Sequence, residues 1–153
     1  MKPMRKKAVD SLCSECLYVT SGALARKVEK LAIEVWKPAG LPPSHAYLLL
    51  LVIHSDICYP SWISQDLMLS PSTVTRLMEK LEKMDLISRT PYEHLICISP
   101  TQKAWDLEPV LSECELTFER RCREIFGEGK MTGLNLLINM ATDKLAAREL
   151  RTG

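Results

Sequence analysis

The stretch LMLSPSTVTRLMEKLEKMDLISR, from Leu67 to Arg89, decides how this chain is read. Ser70-Pro71 opens a helix with two signals. A serine hydroxyl can accept an otherwise unpaired backbone N–H, and a proline at the first helical position has no N–H to lose. Val74, Leu77, Met78 and Leu81 then recur at i, i+3, i+4 and i+7, which is one apolar stripe of an amphipathic helix. The opposite face carries Ser72, Arg76, Glu79, Lys80 and Lys83. Asp85 sits where the chain must leave that helix, at a position better suited to glycine.

Working downstream, Leu86–Thr90 and His94–Ile98 are short β-prone runs with Pro91-Tyr92-Glu93 between them, and this predicts a hairpin. A long helix follows, capped by Ser99 or Thr101. Its stripe is Leu107, Leu111, Cys114, Phe118, Cys122 and Ile125, with a kink expected at Pro109. Gly127 and Gly129 should end it, and Thr132 should cap a last helix whose apolar face includes Leu134, Leu137, Ala141 and Leu145. Upstream, Ser61 is the expected cap of a short helix from Trp62 to about Met68. Ser44 is the expected cap of a helix through the apolar run Ala46–Ile53, which should be central because it is apolar on nearly every side. Before it, Leu24, Val28, Leu31 and Val35, with Leu17, Ala32 and Trp36, mark an amphipathic helix that must stop near Lys37 ahead of Pro38. A basic arm with Lys2, Arg5, Lys6 and Lys7 comes first.

The composition suits a globular chain: 153 residues, 46% hydrophobic and 25% charged, with no low-complexity tract. The longest apolar run, eight residues, is far short of the ~20 that span a bilayer. No apolar segment of a secretory signal follows the basic arm, so the expected location is the cytoplasm, with no membrane partner. Six Cys in such a chain read as reduced thiols. Nothing supports catalysis. There is no Gly-rich phosphate loop, no nucleophile elbow, and the three His have no positioned carboxylates, so neither an enzyme nor a cofactor is expected.

The order of elements is helix, helix, short helix, tight link, capped helix, hairpin, long helix, helix. Its centre reads as a winged helix-turn-helix, in which the second helix enters the major groove of DNA with its N-terminal residues on the base edges. Ser70, Ser72, Thr73 and Thr75 place small donors and acceptors at that N-terminus, where the helix dipole also favours phosphate. Arg76 follows one turn on and can fork onto guanine or phosphate, with Lys80 beyond it, while Arg89 on the first hairpin strand is a candidate backbone contact. The expected fold is mainly α with a small β-hairpin: residues 1–40 an arm and dimerisation helix, 41–100 the winged helix-turn-helix, and 101–153 dimerisation helices. One small winged helix cannot cover the apolar faces of helices from both chain ends. A second copy can, and would set two recognition helices about 34 Å apart on a pseudo-palindromic site.

These residues resemble the MarR-type (multiple antibiotic resistance) regulators. The likeness is strongest over Leu67–Arg89, extends to LPPSHAYLLLLV at Leu41–Val52, and includes Ser99-Pro100-Thr101-Gln102-Lys103-Ala104, similar to the family's strand-to-helix signature. The resemblance implies a homodimeric transcriptional regulator, a repressor rather than an activator, controlled by a small aromatic effector or by thiol oxidation. Three features depart from the family pattern. Met68 and Asp85 stand where glycines are usual, and the wing tip, Thr90–His94, holds no Arg. Across residues 70–94 Arg76, Lys80, Lys83 and Arg89 are balanced by Glu79, Glu82, Asp85 and Glu93, so non-specific affinity for DNA should be modest.

Cys13-x-x-Cys16 is a candidate redox pair, although it supplies only two of the four ligands a structural zinc needs, and no metal site is expected. His54 and Cys58 have helical ligand spacing but fit the end of a buried helix. Cys97, Cys114 and Cys122 read as packed thiols. Trp36, Tyr47, Trp62 and Trp105 are candidates to line an effector cavity, and His45 reads as solvated. Two other readings use the same scaffold: a protein-binding adaptor without DNA, and a thiol or metal sensor.

Overall fold

The computed structural model describes residues 13–152. The basic arm at Lys2, Arg5, Lys6 and Lys7 lies outside them. Helix α1 spans Leu17–Val35 and is followed by a single 3-10 turn, Lys37–Ala39, which contains Pro38. Gly40, at φ 65°, closes that turn in the left-handed region where only glycine is unstrained.

Helix α2 spans Pro43–His54 and begins one residue before the expected cap. Pro42 is the N-cap and Pro43 the first helical residue, which leaves Ser44 inside the helix. The same correction applies to α3 (Pro60–Asp66), where Tyr59 precedes Pro60 and Ser61 is internal. In both places a proline starts the helix with its fixed φ, and no side-chain cap is made. Helix α2 is the centre of the core: Ala46, Leu48, Leu49, Leu50, Val52 and Ile53 are all buried.

Helix α4 spans Pro71–Lys83. Ser70 is its N-cap, with Oγ accepting the Thr73 N–H at 3.3 Å. Val74, Leu77, Met78 and Leu81 are buried, as their spacing predicts, each contributing about 1.5–3 kcal/mol relative to exposure. The links on either side keep their left-handed turns without glycine: Met68 has φ 52° and Asp85 φ 59°. Each costs about 1–2 kcal/mol, offset by the packing on either side.

Strands β1 (Ile87–Tyr92) and β2 (Leu95–Pro100) form an antiparallel hairpin, with Ile87 opposite Pro100, Arg89 opposite Ile98 and Tyr92 opposite Leu95. The hairpin is longer than expected. Pro91 and Tyr92 belong to β1, and the turn is the two residues Glu93-His94, with Glu93 at φ 54°. Such a positive φ is what a two-residue hairpin turn requires. The Ile98 N–H also reaches the Cys58 carbonyl at 2.8 Å, tying the wing to the segment between α2 and α3.

Helix α5 spans Gln102–Phe126, capped by Thr101, whose Oγ1 accepts the Ala104 N–H at 3.3 Å. Pro109 lies inside it. Gly127, at φ 86°, ends α5, and its carbonyl receives the N–H groups of Lys130 and Met131 to start α6 (Glu128–Thr152) at once. Gly129 and Thr132 therefore lie inside α6 and neither stops nor caps a helix, because one left-handed residue suffices for the turn. The described chain divides into two units that meet in sequence at Cys114 and Glu115. In the first, Leu111 and Cys114 are buried. In the second, Leu136, Leu137, Ile138, Met140, Leu145 and Leu150 of α6 are all exposed.

Candidate nucleic-acid interface

The buried stripe of α4 dictates what its other face offers. Once Val74, Leu77, Met78 and Leu81 face the core, Ser72, Thr75, Arg76, Glu79, Lys80 and Lys83 face solvent. At the N-terminus the hydroxyls form a linked set: Ser70 Oγ lies 2.8 Å from Thr73 Oγ1 and 3.2 Å from Ser72 Oγ. Thr75 Oγ1 donates to the Pro71 carbonyl at 3.0 Å, which leaves its lone pairs free to accept. Arg76 makes no ion pair among the described residues, so its fork is available to a base edge or a phosphate.

Arg89 is differently placed. Its Nε lies 3.1 Å from Glu82 Oε2, on the last turn of α4, and its side chain is only 26% exposed. Nothing in the sequence spacing marks Glu82 as a site residue, since contact between a helix end and a strand leaves no local pattern. Lys103, likewise unmarked, donates from Nζ to the Met84 carbonyl at 2.8 Å, a cation placed on the negative end of α4.

His45 is not fully solvated. It stands in the first turn of α2, partly buried, with its Nδ1 closed off from solvent, and burial and the Lys80 charge together hold its pKa below the usual imidazole range. It is thus neutral beside a cation on the exposed face of α4.

The aromatic candidates do not form one group. Trp36 is fully buried and meets Tyr47 edge to face, with centroids 5.0 Å apart. Trp62, half exposed, packs instead on Tyr59 at 4.9 Å, and Trp105 is half exposed on α5. The indole N–H of Trp36 has no acceptor among the described residues.

All six thiols are free. Cys13 is exposed, and Cys16 occupies the N-cap of α1. His54 does not turn to Cys58: its Nε2 lies 3.5 Å from Glu108 Oε1. Cys58 is buried, and desolvation, helped by the neighbouring Cys97 and Asp66, pushes its pKa up to about 11. Burial likewise raises Cys114 and Cys122. Among the described residues no cluster of three or more His, Cys, Asp or Glu could hold a metal, and no helix is long and apolar enough to cross a membrane.

No protein-family model matches the chain, and no curated protein matches it by sequence. Solved structures do. The transcriptional repressor CouR bound to a 23-mer DNA duplex is 19% identical, with a TM-score of 0.73 over 84% of this chain and 94% of that one. CouR bound to p-coumaroyl-CoA is 18% identical, with a TM-score of 0.77 over 92% and 98%. The chain has the MarR fold. A MarR-family transcriptional regulator from Listeria monocytogenes, complexed with a 26-mer DNA, gives a TM-score of 0.71 at 17% identity, over 87% and 91%. The MarR fold accounts for the order of helices around the hairpin.

Proposed function

We propose that the protein is a homodimeric, sequence-specific double-stranded DNA-binding transcriptional regulator that acts as a repressor. The observation that carries this reading is α4, whose aliphatic stripe is buried while its hydroxyl-rich N-terminus and Arg76, Lys80 and Lys83 stand exposed. On this reading Ser70, Ser72, Thr73, Thr75 and Arg76 meet base edges and nearby phosphates, and Lys80 meets backbone. The DNA-bound neighbours of the same fold support it. The protein acts by binding, without catalysis, in the cytoplasm where its DNA ligand is found.

Residues 41–100 form the reading head, and the flanking helices, within 1–40 and 101–153, form the dimer body. Exposed Leu17, Tyr18 and Val19 on α1 and the exposed apolar residues of α6 support this, since such faces in water mark an interaction site. A small aromatic effector or oxidation at Cys13 and Cys16 would shift the spacing of the two heads by favouring one population. The pair of buried Trp36 and half-buried Tyr47, with an indole N–H that has no acceptor among the described residues, is the best-supported place for an effector to act.

A mobility shift on the DNA flanking the protein's own coding sequence tests the proposal. Retarded bands that weaken steeply with added salt are expected. Absence of any shift, with salt-insensitive capture of another protein instead, would favour the adaptor reading.

A further inference from the structure

Glu82 and Arg89 stand on the two elements that would approach DNA, the recognition helix and the wing, and the structure joins them. The 3.1 Å contact crosses the left-handed turn at Asp85. Arg89 lies opposite Ile98 and two residues from Ile87, so it projects from the hairpin face that carries both buried isoleucines. Its Nε and Nη2 are closed off from solvent and make no aligned hydrogen bond among the described residues, so the Nε–Oε2 contact is an ion pair, while Glu82 remains 44% exposed. A guanidinium set in this way is not presented to a phosphate. It neutralises a carboxylate that would otherwise stand beside one.

We propose that Glu82 and Arg89 form a brace that fixes the angle between wing and recognition helix, so that Arg89 is a positioning residue for DNA recognition and not a phosphate contact. The inference rests on the DNA-binding reading above. It follows from the wing tip as well. Pro91, Tyr92, Glu93 and His94 offer no Arg or Lys, and Tyr92, Leu95 and Ile96 are exposed. Such a wing can contribute only by shape. Shape contacts depend on angle far more than a long, flexible cation does.

The test uses the full chain and two labelled duplexes: one selected from a random pool by the wild-type protein, the other a scrambled version of it. Binding is measured over a salt series for wild type, Glu82→Gln, Arg89→Gln, Arg89→Lys and the double glutamine variant. With the brace, each single variant, Arg89→Lys included, loses about tenfold in the ratio of selected to scrambled affinity, and the double variant loses no more than the worse single. Salt slopes stay within a few tenths of wild type.

A phosphate contact gives the opposite pattern. Arg89→Gln then lowers the salt slope by about one, Arg89→Lys retains function, and Glu82→Gln tightens both duplexes with their ratio intact. Any of these results overturns the brace. Should Arg89→Gln fail to fold, Arg89→Lys and Glu82→Gln still separate the two patterns. A wild-type protein that enriches no duplex overturns the DNA-binding reading, and the brace with it. Failure of the brace alone leaves wild-type discrimination in place.

Discussion

Thr101 Oγ1 donates to the Asp85 carbonyl at 2.7 Å and accepts the Ala104 N–H at 3.3 Å, so one hydroxyl caps α5 and fastens the exit of α4 to it. The Thr101 N–H adds a bond to the Leu86 carbonyl at 3.1 Å, and Lys103 reaches Met84. The left-handed Asp85 turn is therefore held from the far side. Thr101→Val removes the cap and leaves a carbonyl without its donor. It should cost about 1–3 kcal/mol in urea unfolding, with Thr101→Ser close to wild type.

Arg76 and Lys80 should differ in how they fail. Arg76→Ala should cost about 1–3 kcal/mol on a selected duplex and relax preference at one position. Lys80→Ala should weaken selected and scrambled duplexes alike and lower the salt slope by about one. Fluorescence anisotropy across a salt series measures both.

His45 makes stability depend on pH with a definite sign. Burial and Lys80 lower its pKa in the folded state from the ordinary 6.5, so acid favours the unfolded chain, where the imidazole protonates freely. Its contribution is fully present above pH 6.5. It is lost as pH falls from there through the lowered folded-state value, and is constant below that. His45→Gln should flatten this part of the curve of unfolding free energy against pH. An unchanged slope in the variant would assign the dependence to other groups.

The thiols should react in order of exposure and acidity. With Cys58 near pKa 11 and buried, and Cys114 and Cys122 raised by burial, a thiol reagent at neutral pH should label Cys13 first and these three only on unfolding. Mass spectrometry of a labelling time course checks the order. Rapid native labelling of Cys58 would mean that the wing opens readily from the segment it is bonded to.

The exposed apolar face of α6 should govern oligomeric state. A 17.3 kDa chain that pairs through this face runs at twice that mass in light scattering. Leu137→Glu, placing a charge at a residue 65% exposed in the single chain, should return it to the monomer mass and abolish cooperative DNA binding, while leaving the first unit folded.

Much of the local structure was legible because it depends on neighbours in sequence. The Ser70-Pro71 start, the α4 stripe, the central α2 and the end of α1 before Pro38 all follow from spacing and capping chemistry, while the cap of α5, open between Ser99 and Thr101 in the sequence, is Thr101. The helix boundaries that differ from expectation have two causes. At Pro43 and Pro60 the proline itself begins the helix and the following serine is redundant, while at Gly127 a single left-handed residue replaces an expected loop. The wing is longer than the sequence predicts because Pro91, a turn-forming residue type, is tolerated in a hairpin that is two-stranded among the described residues.

What the sequence alone determined, then, is which residues are apolar together and where helices begin. It thereby set the fold class and the exposed face of α4, since both arise from periodicities of a few residues. The tertiary structure decided which charges remain free. Arg89 is turned inward to Glu82, His45 is set beside Lys80, and His54 is drawn to Glu108. Such pairings depend on how separate elements pack, and the energy of a charge depends on the partner and burial that packing supplies, neither of which is written in local spacing.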